Sequence, residues 1–407
     1  MSKLTIFGDI EESAIAQIEN VMKDERVVAG ALCADAHLGY SLPIGGVVAY
    51  RNAISPSGVG FDIACGNKCV RMNIDVRDVR ELVPDLMKEI QRTISFGLGR
   101  SNPDPVDHDL FDSTVWDELD TESGQPLKQK ARAQLGTVGS GNHYVDLLYD
   151  DDSRLWIANH FGSRGFGHTV ASGFLAIAAG KNFTDRVKET EDPAVLDIGT
   201  TAGDLYVEAM RLAGEYAYAG RDYVIEQVLG ILGASSDFEV HNHHNFAWEE
   251  GGLWMVRKGA TPLYPLTPAF IGGSMGDISV IVQGTGKDIG ALGSAPHGAG
   301  RVMSRTKAAG KFRKFTEMRK REDGTEYEFK VRRRDPATAA IDWRVVKSEL
   351  YSEKGITVLG SGADEAPGVY KDLSKVLSYH SNIEILHTLY PIGVVMAGED
   401  IQDPYRD

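Results

Sequence analysis

The chain has 407 residues, of which 42% are hydrophobic and 25% charged, a composition typical of a globular protein with a sizeable core. The formal net charge of −15 argues against a protein that coats nucleic acid through overall positive charge. The three cysteines are too few for a disulfide framework and indicate a reducing, cytoplasmic setting, and without a signal pattern or a long apolar run we expect no membrane span.

The spacing of apolar residues predicts strands and amphipathic helices along the whole chain. In chain order these are helix Glu11–Lys23, strands Val27–Cys33, Ile44–Tyr50 and Cys69–Ile74, helix Val79–Ser95, strands Tyr144–Leu148 and Leu155–Asn159, helices Val170–Arg186 and Leu205–Leu232, strands Asp237–His241, Leu253–Val256 and Ile278–Gln283, helices Asp342–Leu350 and Leu373–Leu377, and strand Ile383–Met396. Strands outnumber long helices and do not alternate regularly with them, which indicates an α+β fold rather than a doubly wound α/β sheet. No repeat or linker divides the chain, so we expect one domain over residues 1–407.

Two segments differ in composition from the rest. Residues 97–125 are polar and contain Pro103 and Pro105, which predicts a surface excursion with little structure of its own. Residues 301–334 hold 13 Lys and Arg residues against 5 Asp and Glu residues. This basic segment is a candidate anion-binding face, although a solvated basic loop explains the same composition.

Five residues of metal-ligating type lie in polar, Gly- or Asn-rich loops near predicted strand ends: Asp62, Cys65, His143, His160 and His244. Imidazole, thiolate and carboxylate groups are ligands of first-row transition metals. Each residue alone has an ordinary explanation, such as a small core cysteine or a hydrogen-bonded turn histidine. Five of them in four such loops favour a metal site. Because a thiolate can bridge two cations, they are consistent with a two-metal centre.

Two Gly-rich segments offer groups that bind phosphate. Gly272–Gly276 supplies backbone N–H groups and a hydroxyl, and Gly162–Gly165 supplies the Arg164 guanidinium. Taken singly, each is better explained as an ordinary tight turn. The Walker sequence G-x-x-x-x-G-K-[ST] does not occur, which excludes a P-loop NTPase at the level of motif.

His297 lies in the stretch Ala295–Lys307, between Pro296 and the small residues Gly298–Gly300. A lone histidine in a Gly-rich turn is usually structural. Together with candidate metal ligands and phosphate-binding loops it becomes a candidate nucleophile. The combination indicates nucleotidyl or phosphoryl transfer.

Eight motifs follow one another along the chain: A-D-A-H-L-G, G-V-G-F-D-I-A-C-G, G-T-V-G-S-G-N-H, N-H-F-G-S-R-G-F-G-H, H-N-H-H-N-F, R-K-G-A, G-S-M-G and S-A-P-H-G-A-G-R-V-M-S-R. Together they resemble the RNA-splicing ligase family RtcB, in the family's order from Ala34 to Gly398. The resemblance implies a single large domain with a β-sheet core, peripheral helices and an active site built from Gly-rich loops. It also implies an enzyme that joins RNA 3′-phosphate or 2′,3′-cyclic phosphate ends to 5′-hydroxyl ends, in RNA repair or tRNA splicing. Such an enzyme uses GTP and two Mn²⁺ ions and forms a covalent histidine–GMP.

The resemblance also assigns roles by motif. It implies that His297 is the guanylylated nucleophile and Asp35 its orienting carboxylate. One Mn²⁺ would be held by Cys65, His160 and His244, and the second by Asp62, Cys65 and His143. The implied nucleotide-binding residues are Asn142, Ser274, Met275 and Gly276 at the phosphates and Ala299 and Gly300 at the ribose. The implied RNA or phosphate contacts are Arg164, Lys258 and Arg301.

Two departures from the family pattern fall on base recognition. The family usually ends in Val-Lys-Gly, whose lysine contacts guanine, whereas this chain has Ala397 before Gly398 and a tail at 399–407. The acidic residue after the Asn-His pair, usually Glu, is Asp146, while Tyr370 is still present to pack on the base. The departures leave open an enzyme with the same histidine chemistry and a relaxed or altered nucleotide or acceptor specificity.

A third reading is a metal-dependent RNA-binding protein without activity. The presence of His297 and of all five ligand-type residues disfavours it. Some family members depend on an activator protein, and nothing in this sequence decides whether this chain has such a partner.

Overall fold

The computed structural model describes residues 3–187, 192–321 and 323–398, so the tail at 399–407 lies outside the described residues. The strands are β1 Lys3–Ile6, β2 Val27–His37, β3 Ile44–Tyr50, β4 Ala53–Ile54, β5 Gly66–Asp75, β6 Tyr144–Asp150, β7 Arg154–Phe161, β8 Leu196–Asp197, β9 Ser236–His243, β10 Asn245–Glu250, β11 Leu253–Lys258, β12 Ala260–Pro262, β13 Ala269–Ile271, β14 Ser279–Gly284, β15 Ser294–Pro296, β16 Phe312–Lys320, β17 Glu326–Arg334, β18 Thr357–Ser361 and β19 Ile383–Gly398. The α-helices are α1 Glu12–Val21, α2 Pro56–Val59, α3 Val76–Val79, α4 Val83–Thr93, α5 Val115–Ser123, α6 Leu127–Gln134, α7 Arg164–Ala178, α8 Thr201–Leu232, α9 Arg305–Ala309, α10 Trp343–Ser352 and α11 Leu373–Ser378. Short 3₁₀ helices cover Arg80–Leu82, Asp109–Asp112, Pro336–Thr338, Ala363–Glu365 and Pro367–Val369.

The larger sheet has eight strands, seven of them in the order β13-β14-β19-β6-β7-β5-β9. The eighth, β18, runs parallel to β19. Side chains alternate between the two faces, as the two-residue period of a strand requires. On β5, Val70 packs with α4 and α8, whereas Cys69 packs with Trp156 of β7 and Phe270 of β13 on the other face. Both faces are apolar, which explains why the central strands have nearly continuous hydrophobic sequences.

The smaller sheet has the order β1-β2-β3-β11-β10, and the principal core lies between it and helices α5 to α8. Helix α8 is capped at its N-terminus by Thr200, whose side chain accepts a hydrogen bond from the Gly203 N–H at 3.1 Å. It ends at Gly233, which has a left-handed φ of 59°. Because α8 contributes to the cores under both sheets, it joins the two halves of the fold. The α+β prediction is confirmed. Within the described residues, no helix is both long and apolar enough to cross a membrane.

Helix α7 corrects one predicted boundary. The predicted helix Val170–Arg186 begins at Arg164 instead and ends near Gly180, which has a φ of 71°. The glycines of the segment Gly165–Gly167 were interpreted as a loop signal. They belong to the first turn of the helix, where a Cβ on Gly167 would lie 1.7 Å from Ser163 Oγ. Here glycine permits close packing rather than a turn.

The prediction that residues 97–125 have little structure is wrong for their second half. That half contains a 3₁₀ turn at Asp109–Asp112 and helix α5. Phe111, Trp116 and Leu119 are buried in the principal core. The acidic residues between them gave the segment its polar composition and concealed the apolar face.

Candidate active site

Three antiparallel strands of the larger sheet bring the first set of ligand-type residues together. Gly66, the first residue of β5, pairs with Phe161 of β7 on one side and with His243 of β9 on the other. Each of these three residues is the immediate chain neighbour of a predicted ligand. Those ligands are Cys65, His160 and His244.

The three ligand atoms of this set converge in a buried position. Cys65 Sγ lies 3.1 Å from His160 Nε2, which lies 3.3 Å from His244 Nε2. The Nδ1 atom of His160 lies 3.0 Å from the Asn142 carbonyl oxygen, so Nδ1 carries the proton and Nε2 presents a lone pair. One sulfur and two imidazole nitrogens that converge on a buried point form a donor set suited to a transition-metal cation.

The second set shares Cys65 and adds Asp62 and His143, with all three ligand atoms within 4.8 Å of one another. His143 Nε2 lies 3.0 Å from Asp62 Oδ2 and 3.7 Å from Cys65 Sγ. Two motif glycines make room for this set. A Cβ on Gly139 would lie 2.3 Å from His143 Nδ1, and one on Gly162 would lie 2.2 Å from Asp62 Oδ1.

Burial keeps the histidines of the first set neutral. It lowers the pKa of His160 to about 3, and it lowers the pKa of His244 well below its ordinary value. For Asp62, burial favours the neutral acid, but the hydrogen bond and charge of His143 outweigh it and lower the pKa to about 2. Burial and the neighbouring Asp62 charge raise the pKa of the Cys65 thiol, so deprotonation of Cys65 requires a cation beside the sulfur.

His297 is held by Asp35, which is fully buried on β2. Asp35 Oδ2 accepts hydrogen bonds from His297 Nδ1 at 2.7 Å and from the His297 backbone N–H at 3.0 Å. The His297 and His244 rings have centroids 4.9 Å apart, so the candidate nucleophile lies beside the first ligand set. With Nδ1 engaged by Asp35, Nε2 is the nitrogen left for reaction.

The position of Asp35 differs from the sequence prediction. We expected strand β2 to end at Cys33, but it continues to His37, so Asp35 is a strand residue. Lys371 donates hydrogen bonds to the carbonyls of Ala34 at 2.9 Å and Ala36 at 3.1 Å, on either side of Asp35. This anchoring lysine was not predicted, although it belongs to the stretch around Tyr370 that resembles the family.

One cavity of about 1020 Å³ joins these groups. Its wall contains His297 together with Asp62, Cys65, His160 and His244. Several predicted nucleotide and phosphate contacts also line it, namely Asn142, Asp146, Lys258, Ser274, Met275, Ala299, Gly300, Arg301 and Tyr370. The Gly272–Gly298 bridge joins the candidate phosphate loop to the histidine loop. The cavity is large enough for a nucleotide and lies directly against the candidate nucleophile.

A family model described as "tRNA-splicing ligase RtcB" matches residues 17–342 of this chain, which is more than half of its length. The chain belongs to the RtcB family. The RNA-splicing ligase RtcB of Escherichia coli strain K12 is 30% identical over 95% of this chain and 94% of its own length. The tRNA-splicing ligases RtcB of Pyrobaculum aerophilum and Archaeoglobus fulgidus are 30% and 29% identical, over 89% and 95% of this chain and 86% and 91% of their own lengths.

The two departures from the RtcB pattern occupy different places. Asp146 lines the cavity, and its Oδ1 has no hydrogen-bond partner among the described residues. Burial raises its pKa well above the ordinary value. On β19, Val394 and Met396 line the cavity, whereas Ala397 is buried and is not part of its wall. The strand alternation therefore places Met396 at the cavity wall next to the position where RtcB proteins usually have lysine.

The rim of the cavity is built from ion pairs. The Arg301 guanidinium lies 5.2 Å from the Tyr370 ring centroid and donates to the Asp364 carbonyl oxygen at 2.8 Å. The Tyr370 hydroxyl donates to Glu365, which also pairs with Arg305. The rim therefore positions Tyr370 and Arg301 side by side at the edge of the cavity.

Three predicted contacts lie in surroundings that the sequence did not indicate. Arg164 has a left-handed φ of 56°, and its Nη1 lies 3.5 Å from His143 Nδ1. Lys258 donates hydrogen bonds to the carbonyls of Tyr40 and Ser57. Gly276 faces the side chains of Leu350 and Pro367, so it supports the phosphate loop from behind.

Arg221 of α8 is a buried residue beside the first ligand set that sequence reasoning missed. It is fully buried and donates to the carbonyl oxygens of Ala64 at 3.0 Å and Phe161 at 2.6 Å. It also lies 2.8 Å from His243 Nδ1. These three partners are the chain neighbours of the first ligand set. The available signal in the sequence was an arginine within a long, largely apolar helix. If such an arginine is buried it requires partners, since Arg is almost never fully buried without them.

Proposed function

We propose that the protein is an RNA ligase that joins RNA 3′-phosphate or 2′,3′-cyclic phosphate ends to 5′-hydroxyl ends through a covalent histidine–GMP on His297. Membership of the RtcB family supports this activity, and relatives carry the name tRNA-splicing or RNA-splicing ligase. The observation that carries the proposal is the Asp35–His297 pair, whose reactive side lies beside the first set of metal-ligand atoms in one cavity. The second set shares Cys65 with the first, and its Asp62 also lines this cavity.

In the first step the Nε2 lone pair of His297 attacks the α-phosphorus of GTP. A P–N bond forms, the bond to the bridging oxygen breaks, and pyrophosphate leaves. Asp35 holds the Nδ1 proton, fixes the tautomer and stabilises the positive charge that develops on the imidazole. The deep burial of Asp35 and its bond to the His297 backbone N–H keep this geometry rigid.

In the later steps the GMP group moves from His297 to the RNA 3′-phosphate, which breaks the P–N bond and frees the imidazole. The 5′-hydroxyl of the second RNA end then attacks this activated phosphate, and GMP leaves. The cavity wall supplies donors for the phosphates. These are the backbone N–H groups of Gly272–Met275, the Ser274 hydroxyl, Asn142 and Lys258, with Arg301 for the RNA. Arg164 lies beside His143, outside this wall, and is proposed as a further phosphate contact.

The donor set fits divalent metal ions. Cys65, His160 and His244 would hold one ion, and Asp62, Cys65 and His143 the other. Neutral imidazoles and a lone pair on His160 Nε2 that faces the other ligand atoms match this role. Bound Mn²⁺ would offset charge on the phosphoryl oxygens. The preference for Mn²⁺ over other first-row metals comes from the family resemblance, since the donors suit several of them.

A second candidate is the same chemistry with relaxed nucleotide choice. Asp146 and Ala397 replace the residues that the family resemblance associates with guanine. In addition, the cavity-lining residues of β19 are Val394, directly opposite Asp146, and Met396, and neither is a cation. Fewer charged groups around the base favour weaker discrimination between purines.

The test is incubation with α-labelled GTP and Mn²⁺, with ATP, CTP and UTP as competitors. We expect label on the unaltered protein and none on His297→Ala. Label that survives His297→Ala would contradict the assignment of the nucleophile. Loss of label caused by ATP at least as effectively as by unlabelled GTP would favour the second candidate. Joining of a 3′-phosphate RNA to a 5′-hydroxyl RNA, lost in the same variant, tests the complete reaction.

A further inference from the structure

The strands β16 and β17 form a hairpin within the basic segment 301–334 and pair only with each other among the described residues. Two-stranded hairpins are marginally stable by themselves and need support from their side chains. Residues two apart on a strand share a face, as do partners directly opposite. The hairpin therefore has two distinct faces that can be compared.

One face supports itself. Arg319 stacks over the Phe329 ring at 3.8 Å and Arg333 over the Phe315 ring at 4.9 Å. Glu317, between them, also pairs with Arg333 at 3.4 Å. We call this the stacked face. Its cation–π contacts and ion pair contribute to the stability of the hairpin.

The opposite face also contains a stacked ring, since the Phe312 centroid lies 5.3 Å from the Arg332 guanidinium, and it carries the Lys320–Glu326 ion pair at its far end. Between these two features lies a stretch rich in positive charge. We call Lys314, Thr316, Lys330 and Arg332 the lysine face, because Lys314 lies opposite Arg332 and Lys330 opposite Thr316. All four are exposed. Lys314 and Lys330 make no ion pair with any residue in the described part of the chain. Lys314 also lies opposite the like-charged Arg332, an arrangement that destabilises a sheet. The two lysines without carboxylate partners among the described residues therefore favour an anionic ligand.

The lysine face leads to the active-site cavity. Arg334, two residues beyond Arg332 on β17, donates to the Gly310 carbonyl at 3.0 Å and lies 3.7 Å from Asp364 Oδ2. Asp364 also pairs with Arg305 at 3.4 Å, and Arg305 lines the cavity. A strand rises about 3.4 Å per residue, so the lysine face continues from this rim for roughly 14 Å.

We propose that the lysine face binds the phosphate backbone of the single-stranded RNA end and guides that end into the cavity. RNA is the occupant favoured by the charge complementarity and by the continuity with the cavity. The proposal rests on the proposed RNA ligase function and adds to it a binding surface outside the catalytic cavity. The proposal also explains how a protein with a net charge of −15 can bind an anionic substrate, because positive charge is concentrated in the basic segment that contains this hairpin.

The test uses the full-length protein in Mn²⁺ without nucleotide and a fluorescent single-stranded RNA that ends in a 3′-phosphate. Fluorescence anisotropy measures Kd over a range of salt concentrations. Each lost phosphate contact on a single strand removes about 0.7 from the slope of log K against log salt. The double variant Lys314→Gln/Lys330→Gln should therefore lose about 1.4 in slope and bind roughly 25-fold more weakly at about 0.1 M salt.

The matched control removes two exposed lysines elsewhere, Lys181→Gln/Lys347→Gln, and should change the slope by much less. A gain-of-charge variant, Thr316→Lys, should steepen the slope by about 0.7. Equal slopes for the unaltered protein and both hairpin variants would overturn the proposal and leave the lysine face to an acidic protein partner. Nucleotide labelling of the unaltered protein tests the ligase function separately, since RNA binding is measured without nucleotide.

Discussion

The Nη1 atom of Arg221 donates a hydrogen bond of 3.0 Å to the carbonyl oxygen of Ala64, the residue before Cys65. Ala64 has a left-handed φ of 60°, a conformation unfavourable for a residue with a Cβ. The buried guanidinium therefore holds a strained backbone that aims the Cys65 sulfur at both ligand sets. Through Phe161 and His243 it also fixes the chain beside the other two ligands of the first set.

We expect Arg221→Met to weaken Mn²⁺ binding by about 10- to 100-fold, the usual cost of losing a group that orients metal ligands. The measurement is a titration of the protein with Mn²⁺, in which electron paramagnetic resonance reports the free ion. Arg221→Lys should recover part of the affinity, because an ammonium group retains the charge but not the geometry of the guanidinium.

The control for this prediction is Arg211→Met, the same change on the same helix at an exposed position beside Trp254. It should leave Mn²⁺ affinity close to that of the unaltered protein. If Arg221→Met remains folded by circular dichroism and binds Mn²⁺ as tightly as Arg211→Met, Arg221 has no positioning role.

The sequence alone predicted much of the sheet framework and the types of residue in the site. Apolar runs such as Ile44–Tyr50 became strands because both faces of those strands are buried. The predicted strand Val27–Cys33 ended before Asp35, because a carboxylate inside an apolar run is typical of a turn. It is tolerated here since His297 N–H groups satisfy one oxygen.

The residues that support the site from behind were harder to predict than the ligand residues and the nucleophile themselves. Arg221 lies about 60 residues from Phe161 and 157 residues from Ala64 along the chain, so no local pattern links them. Lys371 likewise reaches Ala34 from 337 residues away. Such contacts follow from strand order, and the order β7-β5-β9 is not encoded in apolar periodicity.

Asp35→Asn should slow nucleotide labelling of His297 by roughly 10²- to 10⁴-fold. An amide can no longer stabilise the imidazolium, and it favours the wrong tautomer. The rate is measured from the initial phase of labelling at saturating nucleotide and Mn²⁺. Mn²⁺ binding should be retained, because Asp35 belongs to neither ligand set. An unchanged labelling rate would contradict the role of Asp35 in orienting His297.

The metal-free protein should lose stability as the pH falls from about 6.5 towards 4. Burial lowers the pKa of both His37 and His380 to about 4, so at these pH values the unfolded chain binds protons that the folded protein excludes. The contribution of these neutral histidines to the free energy of unfolding is fully present above about pH 6.5, the pKa of histidine in the unfolded chain. Below that pH it decreases by about 1.4 kcal/mol per pH unit for each histidine. Urea unfolding with a chelator at pH 7.5, 6.0 and 5.0 measures this slope.

His380→Gln tests the assignment of this pH dependence. His380 Nε2 accepts a hydrogen bond from the Ala34 N–H at 3.0 Å, and a glutamine oxygen can accept the same bond without titrating. The variant should reduce the slope by about 1.4 kcal/mol per pH unit between pH 6 and 5. A slope equal to that of the unaltered protein would show that His380 does not exclude a proton.

Asp146→Ala should lower the preference for GTP over ATP by about 10-fold or more if Asp146 contacts the base. Guanine presents two adjacent N–H donors to a carboxyl group, and a typical hydrogen bond contributes about 0.5–1.5 kcal/mol. The unpartnered Oδ1 on the cavity wall is available for such a contact. The measurement is the ratio of labelling rates with GTP and ATP. Met396→Leu alters the same wall without a polar change and serves as the control, so equal ratios in both variants would exclude Asp146 from base recognition.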